Sequence, residues 1–220
     1  MTPTGPTGTA ITMPTAMPFS RNTKSNLKSR RCSVTEGALC YSALLQTFEP
    51  PEVAMTDTDD AYRFEFVSID GERLPLDAWR GQPVLVVNTA SFCGYTPQYS
   101  DLEALWQRYR DRGLVVLGVP SNDFGRQEPG STGQIKEFCT TNYSVDFPLT
   151  EKCRVIGGEA HPFYRWIAES LGEGGTPRWN FHKYLVGPDG QLAGAWPAQV
   201  SPSDRRITAE IERLLPQEPQ

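Results

Sequence analysis

Two uninterrupted apolar segments constrain the fold of this 220-residue chain more than any other feature of its sequence. They are PVLVVNTA (83–90) and LVVLGVP (114–120), and each is short, rich in β-branched residues and typical of a buried strand. Between them, apolar side chains recur at helical spacing from Leu102 to Tyr109, and Gly113 can end that helix. Alternation of buried strands with helices predicts an α/β domain.

The remaining segments extend this pattern. Two segments each predict a β-hairpin, because alternating apolar and polar residues flank an Asp-Gly turn; they are YRFEFVSIDGERLPL (62–76) and HKYLVGPDGQLAGAWP (182–197). FPLT (147–150) predicts a short strand. Three further helices are predicted from a capping box at Ser131 and Gln134, from HPFYRWIAESL (161–171) with its early proline, and from a start at Ser201-Pro202.

Residues 1–54 differ from the rest of the chain, which is interpreted as a single domain over residues 55–220. They are rich in Thr, Pro and Ser with little periodicity, so we interpret them as a disordered N-terminal extension. They lack the apolar core of a secretory signal. Either Met55 is the true start, which we favour, or the stretch resembles an organellar transit peptide. A cytoplasmic location follows from the first alternative and an organellar one from the second.

Composition excludes several classes of function. A net charge of −5 argues against a nucleic acid as the main partner, and no apolar run approaches the roughly 18 residues of a membrane-spanning helix. The five cysteines form no CxxC pair and no zinc-binding spacing with the two histidines. We therefore expect no metal site and no disulfide-stapled fold, but one or two reactive thiols in a reducing compartment.

The thiol most suited to chemistry is Cys93, in NTASFCGYTPQY (88–99), at the junction of a buried strand and a helix. A thiol reacts as the thiolate, and the N-terminus of a helix stabilises that anion. The ordinary alternative is a small buried residue. The polar and small neighbours, among them Ser91, Gly94 and Thr96, favour a functional loop at the end of a strand.

Hydrogen-bond donors for this thiolate come from two other segments. Gln127 lies in the Gly/Pro-rich loop SNDFGRQEPGS (121–131), and Trp179 and Asn180 lie in PRWNFHKYLV (177–186). Neighbouring strand ends meet at the same edge of an open α/β sheet, so the amide and indole N–H groups can converge on Cys93. Taken singly, each residue also has an ordinary explanation as a solvated glutamine, a core tryptophan or a turn asparagine.

Together these motifs resemble the glutathione peroxidase family over roughly residues 60–215. The segments NTASFCGYTPQYSDLEALWQRY, VPSNDFGRQEPGS, EFC, NYSVDFP and RWNFHKYLVGPDG match the family's motifs in order and at the usual separations. The resemblance implies a thioredoxin fold, with a central mixed β-sheet flanked by helices and an N-terminal β-hairpin. It also implies a thiol peroxidase that needs no cofactor beyond a thiol co-substrate and protects against oxidative stress.

The resemblance assigns roles residue by residue. Cys93 matches the peroxidatic residue, which is selenocysteine in some members, and the other members of the catalytic tetrad match Gln127, Trp179 and Asn180. The implied reaction is attack by the Cys93 thiolate on the O–O bond, which leaves a sulfenic acid and releases water or an alcohol. The N–H donors then stabilise the charge that develops on the leaving oxygen.

A resolving role for Cys139, in KEFCTTNYSVDFP (136–148), is likewise implied by resemblance to the thioredoxin-dependent members. The alternative is that Cys139 is a buried core residue on the helix face of Ile135 and Phe138. Cys139 can be both buried and resolving if the helix unwinds locally to release it. That combination predicts a mobile segment over about 131–146. Reduction by glutathione, and a redox sensor that relays its disulfide to a partner protein, stay open. The intact tetrad argues against an inactive binding module.

Three departures from the family refine these expectations. Ser121 stands where some members carry a further cysteine, and Cys153 lies outside the matched motifs, so we interpret it as structural. The span between Ile167 and Trp179 lacks the long insertion by which tetrameric members assemble. We therefore expect a monomer or weak dimer, without stable membrane insertion, whose open site admits bulky or lipid hydroperoxides.

Overall fold

A four-stranded mixed sheet forms the centre of the domain in the computed structural model, which describes residues 59–216. Its strands are β3 (Val84–Thr89), β4 (Val115–Pro120), β5 (Lys183–Val186) and β6 (Leu192–Trp196), in the order β4-β3-β5-β6. β3 pairs in parallel with β4 and antiparallel with β5, which pairs antiparallel with β6. Every residue of β3 and β4 is buried, as the two apolar segments predict.

A separate hairpin precedes this sheet and four helices surround it. The hairpin pairs β1 (Glu65–Val67) with β2 (Arg73–Pro75). The helices are α1 (Gln98–Tyr109), α2 (Thr132–Tyr143), α3 (Pro162–Leu171) and α4 (Arg205–Leu214), and short 3₁₀ turns occupy Ala61–Arg63, Leu76–Trp79, Arg110–Arg112 and Gly172–Gly174.

Two hydrophobic clusters cover the two faces of the sheet. Leu85 and Val87 of β3 pack with apolar residues of α1, α2 and α4, whereas Val84 and Val86 pack with α3 and β1. This division follows from the strand geometry, because successive side chains point to opposite faces. A mixed sheet with helices on both faces and an N-terminal hairpin confirms the thioredoxin fold expected from the sequence.

Local signals for α2 and for the end of α1 are also confirmed. The Ser131 hydroxyl accepts from the backbone N–H of Gln134, and the Gln134 side chain accepts from the backbone N–H of Ser131, which completes the capping box. Gly113 ends the 3₁₀ turn after α1 with a φ of 103°, a conformation that glycine adopts without steric cost.

Two local expectations are wrong. FPLT forms isolated bridges, from Leu149 to Gly118 and from Thr150 to Ser68, rather than a strand. Pro148 has no N–H to donate to a ladder, which keeps the pairing short. The last helix begins at Arg205, because the Asp204 carboxylate caps it by accepting from the backbone N–H of Arg206.

The interpretation of residues 1–54, with Cys32, Cys40 and the start at Met55, lies outside the described residues. Within residues 59–216, no helix combines the length and apolar character that crossing a membrane requires. The same residues contain no group of three or more His, Cys, Asp or Glu side chains able to hold a metal ion.

Candidate active site

The loop that carries Cys93 follows β3 and is held in place by Thr96. The backbone N–H of Cys93 donates to the Thr96 hydroxyl at 3.0 Å, and that hydroxyl donates to the carbonyl of Ala90 at 2.9 Å. Both residues are buried, and Cys93 is 8% exposed. Thr96 occupies the position where a dithiol oxidoreductase carries its second cysteine, and here it braces the loop instead.

Cys93 lies at the junction of β3 and α1, as the sequence predicts, but the first turn of α1 begins beyond it, at Gln98. Consecutive turns separate them, with Thr96 N–H donating to Cys93 O at 3.0 Å and Gln98 N–H donating to Tyr95 O at 2.9 Å. The helix starts only after Pro97, which can precede a helix but cannot continue one. Among the described residues, one backbone donor contacts the sulfur: the nitrogen of Tyr95 lies 3.4 Å from Cys93 Sγ.

Gln127 and Asn180 are in direct contact, although 53 positions separate them in the sequence. The Asn180 Nδ2 donates to Gln127 Oε1 at 2.9 Å, and Asn180 is fully buried. The carbonyl of Gln127 accepts from the N–H of Phe92 at 3.0 Å, and Phe92 directly precedes Cys93. The structure therefore joins the loops of Gln127, Asn180 and Cys93, as the strand-end argument predicts.

Asn88, at the end of β3, fixes the segment that carries Trp179 and Asn180. Its Nδ2 donates to the carbonyl of Trp179 at 3.1 Å, and its Oδ1 accepts from the N–H of His182 at 3.1 Å. Its backbone carbonyl accepts from Phe181, which has a φ of 64°. This left-handed conformation is costly for a side chain of that size, so the Asn88 contacts hold a strained backbone at the site.

Trp179 is the exposed member of the predicted tetrad. Its side chain is 40% exposed, and its ring lies 5.9 Å from that of Phe124, on the loop of Gln127. A cavity of about 400 Å³ lies beside it, bordered by Arg178 and His182. The indole is thus accessible to a substrate, whereas Gln127 is half-buried and Asn180 is fully buried.

Cys139 lies in α2 and is fully buried. Burial raises the pKa of its thiol to about 11, and the charge of Glu128 adds to this effect, while a hydrogen bond with Tyr99 opposes it. The side chains that precede the two cysteines touch, since the rings of Phe92 and Phe138 are 6.2 Å apart. Cys93 and Cys139 pack into the same hydrophobic cluster, and both are free thiols.

Cys153 lies apart from that cluster and packs against the other face of the sheet. It is a free thiol, half-buried, with its Sγ 3.9 Å from the Thr150 hydroxyl. Burial raises the pKa of this thiol to about 11 as well. Its structural role stays a prediction.

Glu128 is a site feature that sequence reasoning missed. Its side chain is fully buried, and its Oε2 accepts from the Ser91 hydroxyl at 3.1 Å. Lys152 donates to the backbone carbonyls of Glu128 and Gly130 at 2.9 and 2.7 Å. Burial raises the pKa of the carboxyl, against hydrogen bonds from Ser91 and the charge of Lys152. Its position next to Gln127 was the only signal in the sequence.

A cavity of about 340 Å³ lies between the Cys93 loop and α2. Its lining is formed by Ser91, Phe92, Glu128, Pro129, Gly130, Gln134, Ile135 and Phe138. Phe92 is 66% exposed at its rim. The cavity thus joins a mostly apolar wall to one buried carboxyl.

Comparison with known proteins identifies clear relatives. The family model described as glutathione peroxidase matches residues 61–168. The chain is 43% identical to the hydroperoxy fatty acid reductase gpx1 of Synechocystis over 162 residues, which cover 70% of this chain and 95% of the relative. It is 42% identical to the glutathione peroxidase-like peroxiredoxin HYR1 of Saccharomyces cerevisiae over 158 residues, covering 70% of this chain and 95% of that relative.

A solved structure extends the comparison to the fold. The crystal structure of Trgpx in apo form superposes with a TM-score of 0.57 at 33% identity. The match covers 73% of this chain and 100% of that one.

Proposed function

The chain belongs to the glutathione peroxidase family and is a thiol peroxidase that reduces hydroperoxides, and on that premise we propose that thioredoxin re-reduces it through a disulfide between Cys93 and Cys139. The observation that carries this proposal is the contact between Phe92 and Phe138, which brings the segments of the two cysteines together. Such a disulfide is a substrate for a dithiol protein.

In the peroxide step, the Cys93 thiolate attacks one oxygen of the hydroperoxide. The S–O bond forms as the O–O bond breaks, and the leaving oxygen takes up a proton and departs as water or an alcohol. Gln127, Trp179 and Asn180 supply N–H donors for the charge on that oxygen. The 2.9 Å bond between the two amides supports this assignment, because it orients them before substrate arrives.

In the resolving step, Cys139 attacks the sulfenic acid of Cys93 and releases water. Cys139 is fully buried in α2, so the helix must open locally first. The left-handed Ser144, with a φ of 53°, ends α2 one turn beyond Cys139 and is a natural place for that opening to start. The name peroxiredoxin, carried by the yeast relative, is consistent with a resolving cysteine.

Fatty acid hydroperoxides are the substrate class that we propose. The Synechocystis relative is named a hydroperoxy fatty acid reductase. Phe92, Ile135 and Phe138 provide an apolar wall beside the Cys93 loop, which suits the apolar chain of a fatty acid. The short connection after α3 leaves Trp179 partly exposed, which supports an open site and a monomer or weak dimer.

The test is the intact mass of the full chain after one equivalent of hydrogen peroxide. We expect the wild-type protein to lose two hydrogens and Cys139→Ser to gain one oxygen instead. Cys153→Ser is the matched control, because it removes a different, half-buried thiol, and it should behave as wild type. Gain of oxygen by the wild-type protein, without a disulfide, would contradict the proposal and favour glutathione as the reductant.

Turnover separates the peroxidase from the redox sensor. We expect the wild-type protein, with thioredoxin, thioredoxin reductase and NADPH, to consume many equivalents of a fatty acid hydroperoxide, and Cys139→Ser to stop after one. Turnover by thioredoxin that is unchanged in Cys139→Ser would contradict the disulfide route. A wild-type disulfide that thioredoxin does not reduce would favour relay to another protein.

A further inference from the structure

The Glu128 carboxyl contacts the segment of the peroxidatic cysteine and interacts with the resolving cysteine. On one side, its Oε2 accepts from the hydroxyl of Ser91, two residues before Cys93. On the other, it lines a cavity together with Phe138, which directly precedes Cys139, and its charge raises the pKa of Cys139. The second oxygen, Oε1, is buried and has no hydrogen-bond partner among the residues that the structure describes. A buried carboxylate oxygen left in this state is costly to maintain, which favours a role for it.

Glu128 lines the cavity of about 340 Å³ together with Phe92 and Phe138, the residues that directly precede the two cysteines. Glu128 and Phe92 line one wall, and Ile135 and Phe138 of α2 line the other. The two cysteines must meet in this region once α2 opens. A proton released there thus has a buried acceptor nearby, with apolar side chains around it.

The resolving cysteine needs such an acceptor, because only the thiolate is an effective nucleophile. Burial in the closed helix raises the pKa of Cys139 to about 11. A solvent-exposed thiol, with a pKa of about 8.5, is also mostly protonated near neutral pH, so the need for a base persists when α2 opens. No histidine of the described residues lines the cavity. Glu128 is its only acidic or basic lining residue in the part of the chain that the structure describes.

We propose that Glu128 is the base of the resolving step and relays one proton from Cys139 to the hydroxyl group that leaves Cys93. This role rests on the proposed Cys93–Cys139 disulfide. The Glu128 carboxylate takes the proton of the Cys139 thiol as its sulfur attacks the sulfur of the Cys93 sulfenic acid. The S–S bond forms, the S–O bond of Cys93 breaks, and the protonated carboxyl passes its proton to the departing oxygen, which leaves as water. Cys139 is oxidised, the Cys93 sulfur is reduced, and Glu128 returns to the carboxylate.

The titratable groups around Glu128 are compatible with this cycle. Burial raises the pKa of Glu128 towards the range useful for proton transfer, while hydrogen bonds from Ser91 and the charge of Lys152 oppose this shift. Tyr99 interacts with both Glu128 and Cys139, and its own pKa is raised well above the usual value, so it stays protonated. Glu128 is thus the group able to change its protonation state here.

The decisive variant is Glu128→Gln, which keeps the shape and an oxygen for Ser91 but cannot take up a proton. After one equivalent of hydrogen peroxide near pH 7, we expect oxidation of Cys93 within about twofold of wild type and disulfide formation slower by about 10²-fold. The sulfenic acid should accumulate and be captured by dimedone. The deficit should shrink towards pH 9, where solvent hydroxide replaces the internal base.

Asn122→Ala is the matched control for a purely structural role. The Asn122 side chain accepts from the backbone N–H of Glu128 at 2.9 Å, so its loss loosens the same loop but leaves the carboxyl intact. We expect its disulfide formation to stay within about threefold of wild type. A loss as large as that of Glu128→Gln would overturn the proposal.

Other outcomes are also decisive. Disulfide formation at the wild-type rate in Glu128→Gln, or equal slowing of both steps, overturns the role of Glu128 but leaves the disulfide itself standing. Absence of a disulfide in the wild-type protein overturns both. Should Glu128→Gln fail to fold, the wild-type pH profile decides: an internal base gives a nearly level rate between about pH 7 and pH 9, whereas a rise of about tenfold per pH unit overturns the proposal.

Discussion

The side-chain amide of Asn180 donates to the side-chain oxygen of Gln127 at 2.9 Å, across a gap of 53 positions in the sequence. Because the oxygen of Gln127 accepts this bond, the NH₂ of that amide is turned away from Asn180. The second N–H of the Asn180 amide has no acceptor among the residues that the structure describes. One hydrogen bond therefore sets the direction of two donors.

Asn180→Ala tests this arrangement. We expect the second-order rate of Cys93 with hydrogen peroxide to fall by about 10²-fold, since the variant loses one donor and the orientation of a second. Gln107→Ala is the control, because Gln107 is an exposed amide that donates to Glu103 in its own helix. Stopped-flow oxidation of both variants gives the comparison, and a wild-type rate in Asn180→Ala would refute the tetrad assignment.

Ser131→Ala should speed disulfide formation. Loss of the capping box costs α2 about 1 kcal/mol, which makes local opening, and hence access to Cys139, about fivefold more frequent. Asp204→Ala removes the cap of α4 instead and is the control for global stability. Hydrogen exchange of α2 and quenched-flow disulfide formation are the measurements. Equal rates in the two variants would show that opening of α2 does not control the step.

Lys183→Met should change how stability depends on alkaline pH. Lys183 is fully buried in β5, and burial lowers its pKa from 10.5 to about 7, against the opposing charge of Asp101. Between about 7 and 10.5 the unfolded chain binds more protons, so the contribution of Lys183 grows with pH across that window and is lost as pH falls through about 7. Melting curves of both proteins across this range should show that the stability of the wild-type protein rises with pH relative to that of the variant. Parallel curves would contradict the lowered pKa.

His182→Phe should change how the stability of the protein depends on pH in the acidic range. Burial lowers the pKa of His182 from 6.5 to about 4, and the charges of Lys183 and Arg178 add to the effect. The unfolded state binds more protons between these values, so wild type loses stability as pH falls from 6.5 towards 4. Phenylalanine keeps the stacking on Tyr184, whose ring lies 4.8 Å from that of His182. Chemical denaturation at both ends of the window should show a smaller loss for the variant, and an equal loss would contradict the assignment.

Local chemistry explains what could be predicted from the sequence. The apolar runs of β3 and β4 can only be strands buried on both faces, and the Ser131 capping box needs no tertiary context. The meeting of Gln127 with Asn180 follows from the ends of adjacent strands, which makes this part of the site accessible to sequence reasoning.

Features that depend on distant segments could not be predicted. Glu128 looks like a solvated loop acid, yet Lys152, 24 positions away, and the wall of α2 enclose it. Likewise, the turns between Cys93 and α1 depend on how Thr96 reaches back to Ala90. The role of a single acid or a single helix start is therefore set by packing rather than by local propensity.

Asn88 has a consequence for how this enzyme can evolve. Its side chain and its backbone carbonyl hold the strained segment of Trp179, Asn180 and Phe181. Aspartate lacks the donor for the Trp179 carbonyl, and leucine lacks the acceptor for His182 as well. We therefore expect saturation mutagenesis to show that substitutions of Asn88 reduce activity as strongly as substitutions of Cys93. Changes of substrate range are then expected at the cavity walls, where side chains can vary without disturbing the backbone that Asn88 holds.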